Sequence, residues 1–379
     1  MADVRGFRAI RCAGPLEPAV APPYDVLDED QVASLKARSE HNIVHLTRPG
    51  RDYDGSAALL RKWLQEGSWI QESEPVMMLH ETRWAGAVRR DLIAALRLQP
   101  YEDRVVLPHE RTHRGPKEDR LALLRATGTS LEPLWFLYQD LPGLMSGAPL
   151  QDRVDFRFQD QDHTLYTIRD AGFMSEVSLA FAQRPVLIAD GHHRYETTLA
   201  YSQELGGAEE AASRFTLACL TDIADPGLTV LPTHRVLRSG LPVRGGDPVA
   251  DLTSALAALE AGPATAVYQA GAFEIFRLEG GEAVMELHRQ ILDNVVGRRT
   301  AEEALEYTRD AAEAVRWVDE GRGVAAFLLP APDVSAILKV AEQGQTMPQK
   351  ATYFHPKPPS GMALHQLDPG RNIGTGSTG

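Results

Sequence analysis

The spacing of apolar residues predicts a chain that alternates between strands and helices. A strand region over 7–20 leads to the rigid Ala21-Pro22-Pro23-Tyr24-Asp25-Val26, where two prolines fix an extended or turning backbone. Asp28 then stands as an N-cap for a helix reaching 36–38. Residues 42–46 form a short apolar run that predicts a strand, and Ala57, Leu60, Trp63 and Leu64 repeat at helical intervals over 56–66. Residues 76–82 and 90–98 predict an antiparallel pair turning across Gly86. A helix over 116–126 follows, with Pro116 in the first turn, where its missing N–H is not needed. Strands are predicted at 134–138 and 164–168, the second after a loop of charged and polar residues. Then Pro185-Val186-Leu187-Ile188-Ala189, a buried-strand pattern, runs directly into Asp190-Gly191-His192-His193-Arg194 and a helix over 195–205. Strands at 215–220 and 229–231 follow.

Gly, Pro and Arg replace the periodic pattern over 240–247, which predicts a domain boundary there. Beyond it, a helix over 249–259, strands at 266–268 and 274–278, a helix over 283–292 and a strand at 324–329 form a smaller α/β unit. The expectation is therefore a mixed α/β (α+β) protein, with a first domain over 1–240, a second over 241–365 and a disordered tail over 366–379, rich toward its end in Gly, Ser and Thr. With 379 residues, 43% of them hydrophobic, the chain exceeds what one core usually organises. No internal repeat is visible.

Charge narrows the partners. A formal net charge of −13 opposes broad attraction to a polyanion, so a small-molecule partner is favoured over nucleic acid. Cys12 and Cys219 are too few for a disulfide framework or a cysteine zinc site. No apolar run reaches signal-peptide length at 1–11 or the roughly 18 residues of a membrane span, so a cytoplasmic, membrane-free protein is expected. Nothing in the sequence sets the oligomeric state.

The strand–glycine–helix succession at Asp190 to Arg194 carries the chemistry. Where a strand ends and a helix begins, unpaired backbone N–H groups point outward and make an anion site, and Gly191 permits close approach. His192, His193 and Arg194 add donors of the kind phosphate accepts, while Asp190 is a candidate to hold a divalent cation or orient an imidazole. The alternative is a structural pair of histidines beside a helix-surface arginine. A zinc site is less favoured, because neighbours on a helix point about 100° apart.

Three further segments mix acids and cations. His109-Glu110-Arg111-Thr112-His113-Arg114-Gly115-Pro116-Lys117-Glu118-Asp119-Arg120 is either a solvated charged face or a site lining, with His109 or Glu110 as acid/base candidates. Asp25 either caps a turn or acts as general base or magnesium ligand. Thr233-His234-Arg235 and the run from Pro348 to Lys357 complete the set, with Lys350 and Lys357 as phosphate-facing cations and Tyr353 and Phe354 as packing residues. A Walker loop, a dinucleotide fingerprint and a Gly-x-Ser-x-Gly elbow are all missing.

Taken in order, Ala21 to Val26, the His109 to Arg120 block, Asp190-Gly191-His192-His193-Arg194-Tyr195-Glu196-Thr197, Leu231-Pro232-Thr233-His234-Arg235, and Met347 to Lys350 with Phe354 to Lys357 resemble the motifs of the bacterial and archaeal family called domain of unknown function 1015. Ala351 departs from it where the pattern has serine. The Asp-Gly-His-His-Arg turn is similar to the signature turn of the ParB and sulfiredoxin superfamily, which includes archaeal free-serine kinases. That resemblance implies a ParB/sulfiredoxin-like core binding ATP or ADP with Mg2+, and a phosphotransferase acting on a hydroxyl such as that of free serine. Asp190 to Arg194 would cradle the phosphates, Asp25 or Glu110 would take the proton, and Lys117, Arg120 and Arg235 would stabilise the transferred group. The alternatives are a nucleotide-dependent switch or DNA-associated regulator, and a phosphatase using the same loop. Sulfiredoxin chemistry fits less well, because neither cysteine sits in a promising context.

Overall fold

A computed structural model describes residues 1–110, 115–296 and 301–374, with backbone alone at 115–117 and 301–302. The chain divides into two compact units, one of 1–108, 112–228 and 356–379, the other of 109–111 and 229–355. The division thus falls at Leu228 and Thr229 rather than in the glycine-rich stretch near 240, and the chain returns to the first unit at Pro356.

A mixed sheet organises the first unit. Among the described residues its strands run in the order Val106–Leu107, Val186–Asp190, Leu134–Tyr138, Phe215–Asp222, Ala87–Arg97, Met77–Trp84, Gln161–Ile168 and Leu150–Phe158, with Val4–Arg5 paired on Ala87–Arg97. Val186–Asp190 runs parallel to Val106–Leu107 and antiparallel to Leu134–Tyr138, which in turn lies parallel to Phe215–Asp222. Strands at the centre of a sheet are covered on both faces and therefore read as continuous apolar runs. Leu134–Tyr138 is buried at every position. Leu96, Phe136, Ile188 and Tyr195 belong to one core cluster. Helix Gly115–Thr127 packs between His192–Leu205 and Tyr53–Glu66.

In the second unit an antiparallel sheet runs Asp247–Val249, Ala272–Arg277, Ala264–Gln269, Ala325–Leu328, His234–Leu237, Leu305–Thr308. Its core joins Val236, Ala266, Tyr268, Ile275 and Leu328 to the helices Leu252–Leu259 and Ala311–Asp319. Among the described residues, no helix is long and apolar enough to cross a membrane.

Four expectations are corrected by local chemistry. Residues 42–46 are not a strand: Asn42 accepts a hydrogen bond from the Val44 N–H and donates to the carbonyls of Pro18 and Val20, which starts the helical turn Val44–Thr47. The charged loop before 164 is the strand Leu150–Phe158, whose polar residues line the solvent face of an edge strand. The helices Ala171–Phe181, Ala311–Asp319 and Val334–Glu342, each opened by an aspartate cap, escaped the apolar pattern. The tail is not disordered over 366–374: the Arg371 carbonyl accepts from Ala212 N, Ile373 N donates to Glu210, and Ile373 is buried. Residues 375–379 of that expectation lie outside the described residues.

Phe136 is fully buried and meets the Tyr195 ring edge-on at 6.1 Å, tying a central strand to the helix that begins at His192. Phe136→Ala is expected to lower the unfolding free energy by about 3–5 kcal/mol in urea titrations. A loss under about 1 kcal/mol would show that this contact is not part of the core.

Candidate functional site

The turn after Val186–Asp190 is tight. Gly191 adopts φ 97°, a left-handed conformation that side-chain-bearing residues rarely hold, and a Cβ placed there would lie 2.9 Å from Leu134 and 3.1 Å from the Arg194 guanidinium. The helix starts at His192, not at Tyr195 as the periodicity predicted, so His192, His193 and Arg194 form its first turn. With glycine as N-cap, no side chain closes that end, and the helix presents its positive dipole there.

Asp190 sits at the centre of a charge cluster. One oxygen pairs with Lys357 Nζ, and the other accepts from Arg194 Nη2 at 2.8 Å. Burial pushes the Asp190 carboxyl upward, but the charges of Lys357 and Arg194 outweigh it and hold the pKa at about 2. Arg194 also donates to the Pro133 carbonyl at 2.8 Å. Burial lowers its pKa, yet Glu132, Asp190 and Asp25 together raise it above the ordinary arginine value. Lys357 Nζ lies 3.5 Å from Asp25 Oδ2, and Asp25, on the short turn Tyr24–Val26, is 37% exposed on its side chain. Glu132 anchors this turn by accepting from the Tyr24 N–H and the Ser360 hydroxyl, both at 2.9 Å.

Arg120 closes the cluster from the neighbouring helix. Its guanidinium lies 4.1 Å over the Tyr24 ring, pairs with Asp119 and donates to the Thr47 carbonyl at 2.8 Å. A recess of about 40 Å³ opens beside it, with Leu123, Leu124, Leu131, Arg120, Glu132 and Arg194 in its lining.

The structure therefore brings Asp25, Arg120, Asp190, Gly191, His192, His193 and Arg194 together in the first unit. His109, Glu110 and Arg235 belong to the second unit. There His109 Nε2 is 2.8 Å from the Thr352 hydroxyl, Glu110 accepts from the Lys350 N–H at 2.9 Å, and Arg235 donates to the carbonyls of Thr233 and Lys350. Arg235 is fully buried, and burial lowers its pKa to about 10. The side chain of Lys117 lies outside the described residues.

Lys357 was legible only as one cation in a late run, yet it is the partner of Asp190. Glu132 escaped notice altogether. Its one signal was an acid inside the otherwise apolar Leu131-Glu132-Pro133-Leu134, where a buried carboxylate must have donors. The expectation that Asp190 holds a metal does not suit this arrangement, because both its oxygens face cations. Among the described residues, no group of three His, Cys, Asp or Glu is placed to hold an ion.

The Asp190 pairing makes an acid-stability prediction. A carboxylate whose folded pKa is depressed contributes stability present above its unfolded pKa of 3.8 and lost as pH falls through about 2. The difference in unfolding free energy between wild type and Asp190→Asn is expected to shrink by about 2 kcal/mol between pH 5 and pH 2, read by urea titration. A pH-independent difference would contradict the pairing.

Comparison with solved structures finds partial likeness. A structure described as free serine kinase in complex with AMP matches at 17% identity and TM-score 0.41, over 73% of this chain and 91% of that one. A conserved hypothetical protein from Pyrococcus furiosus matches at 17% identity and TM-score 0.37, over 73% and 95%. SbnI with a C-terminal truncation, from Staphylococcus aureus, matches at 12% identity and TM-score 0.38, over 73% and 87%. Comparison with curated proteins returns no match. The family model described as "Protein of unknown function (DUF1015)" matches residues 4–320, most of the chain, and the protein belongs to that family.

Proposed function

We propose that the protein is a nucleotide-dependent phosphotransferase acting on the hydroxyl of a small molecule, with a free amino acid such as serine as the acceptor. The observation that carries this reading is the Asp190–Arg194 turn. A glycine-capped helix N-terminus, Arg194 and Lys357 converge there, and an exposed carboxylate, Asp25, stands beside them. Donors and positive charge converging on one point suit phosphate oxygens, and a nearby carboxylate suits the proton of an attacking hydroxyl. The resemblance of the turn to that of the ParB and sulfiredoxin superfamily supports the same reading, and a ParB/sulfiredoxin-like identity for the first unit is part of the proposal.

In this reading the helix N-terminus and Arg194 hold the donor's phosphates, ATP or ADP. Asp25 accepts the proton as the acceptor oxygen bonds to the terminal phosphorus, and the bond to the nucleotide breaks with its electron pair leaving on the nucleotide. Lys357 and Arg120 stabilise the charge on the transferred group. A magnesium ion would arrive with the nucleotide phosphates. Asp190 is committed to Lys357 and Arg194, so no step is routed through a metal on that residue. His109, Glu110 and Arg235 belong to the other unit and take no assigned step.

The test is incubation with magnesium, a pool of free amino acids, and ATP, ADP or CTP in turn, following phosphorylated products by mass spectrometry. Wild type is expected to form a phosphorylated amino acid only when nucleotide is present. Asp25→Asn is expected to lower kcat by about 10²–10⁴-fold while nucleotide affinity stays within about threefold. Nucleotide binding without product would favour a switch, release of phosphate without an acceptor would favour a phosphatase, and absence of binding would remove the phosphate-turn reading.

A further inference from the structure

The first unit buries a second charged network whose function the turn itself does not explain. Arg89 and Asp91 are 1% and 0% exposed, two residues apart on the strand Ala87–Arg97 and therefore on the same face. Arg89 grips Asp91 through Nε at 2.9 Å and Nη2 at 3.0 Å. The carboxylate also accepts from the Thr221 hydroxyl at 2.6 Å and from His80 Nδ1 at 3.1 Å. Thr221 in turn accepts from the Trp135 indole N–H at 2.7 Å, and the Arg89 guanidinium lies 4.6 Å over the Trp135 ring. Asp91 thus has four donors, and burial, which would push its pKa up, is overcome by Arg89 and His80, which hold it well below the usual carboxylate range.

Buried ion pairs are expensive to assemble, and well-packed apolar residues often serve stability as well or better. A network of this kind in the middle of a sheet calls for a reason beyond stability. One donor of Arg89 is not directed at Asp91: Nη1 donates to the carbonyl of Pro356, 267 residues along the chain. The next residue is Lys357, whose ammonium pairs with Asp190 and approaches Asp25. The other flank of the network reaches the same place, because Trp135 is the residue paired across the sheet from Asp190.

We infer that Arg89, held by Asp91 and Thr221 against the Trp135 ring, is a positioning residue that fixes the Pro356-Lys357 peptide and so sets where the Lys357 ammonium stands at the Asp190 turn. The guanidinium geometry is specific to the task. A planar fork grips one carboxylate with two parallel N–H groups and still directs a third donor at a carbonyl, whereas a lysine ammonium is a point charge without that fixed fork. The functional consequence rests on the phosphotransferase reading above, but the positional one does not.

The test uses the full chain with Arg89→Lys, which keeps the charge beside Asp91, and Thr221→Val, which removes one hold on Asp91 at nearly constant volume and serves if the first variant does not fold. Two readouts are needed. The first is acetylation of Lys357 by limiting acetic anhydride, quantified by peptide mass spectrometry against the other lysines. The variants are expected to change Lys357 labelling about threefold or more, as expected when a buried hydrogen-bond network is broken, with Lys36 and Lys62 unchanged. The second is ATP affinity by calorimetry across Arg89→Lys, Lys357→Met and the double variant. Arg89→Lys is expected to weaken binding about tenfold alone and to add nothing once Lys357 is gone. Unchanged labelling of Lys357 overturns the positioning role, as do additive effects on affinity, which would mean a merely structural one. If wild type binds no ATP, the phosphotransferase reading fails while the labelling still decides the position of Lys357.

Discussion

Asp190 is a carboxylate that cannot stand alone. It ends the strand Val186–Asp190, whose other residues are buried, where an unpaired charge would be strongly destabilising, and it is tolerated because Lys357 and Arg194 share it. That single requirement links distant parts of the chain. It draws the returning segment at Pro356 back onto the first unit, fixes Arg194 in the first turn of its helix, and leaves Gly191 no room for a side chain. The positive cluster beside the helix N-terminus follows from neutralising this one acid.

The same logic recurs one layer deeper. Asp91 is a second paired carboxylate, this one fully buried, saturated by Arg89, His80 and Thr221, and Trp135 lies between the two centres as the cross-sheet neighbour of Asp190 and the stacking partner of Arg89. His80 Nδ1 lies 3.1 Å from Asp91, and its Nε2 lies 3.0 Å from His163 Nδ1. Burial, together with the nearby positive charge of His80 and Arg89, lowers the pKa of His163 to about 3, which keeps that ring neutral. The first unit is therefore built around two acids, one fully buried and one partly so, whose cationic partners are joined through the Pro356-Lys357 peptide.

Much of this was visible in the sequence because it is local. The strand Val186–Asp190, its glycine turn and the following helix are contiguous, and apolar continuity followed by glycine specifies them. The N-cap at Asp28 and the antiparallel pair across Gly86 were equally local. What escaped depended on distance or on side-chain competition. Lys357 meets Asp190 across 167 residues, and no periodicity announces such a contact. Arg89 and Asp91 carry no signal in the sequence, because a buried ion pair obeys no apolar pattern. The edge strand Leu150–Phe158 looked like a loop since only Phe156 and Phe158 face inward fully. At Asn42, side-chain hydrogen bonds to the backbone overrode the strand preference of Ile43 and Val44.

Phosphate binding at the turn from Asp190 to Arg194 is what the proposed function requires first. Titrating ATP into isotope-labelled protein and following backbone amide resonances by NMR addresses it most directly. The largest shifts are expected on Gly191, His192, His193 and Arg194, saturating with ATP and reproduced in part by inorganic pyrophosphate. Shifts that saturate elsewhere in the chain while these four amides stay still would contradict it.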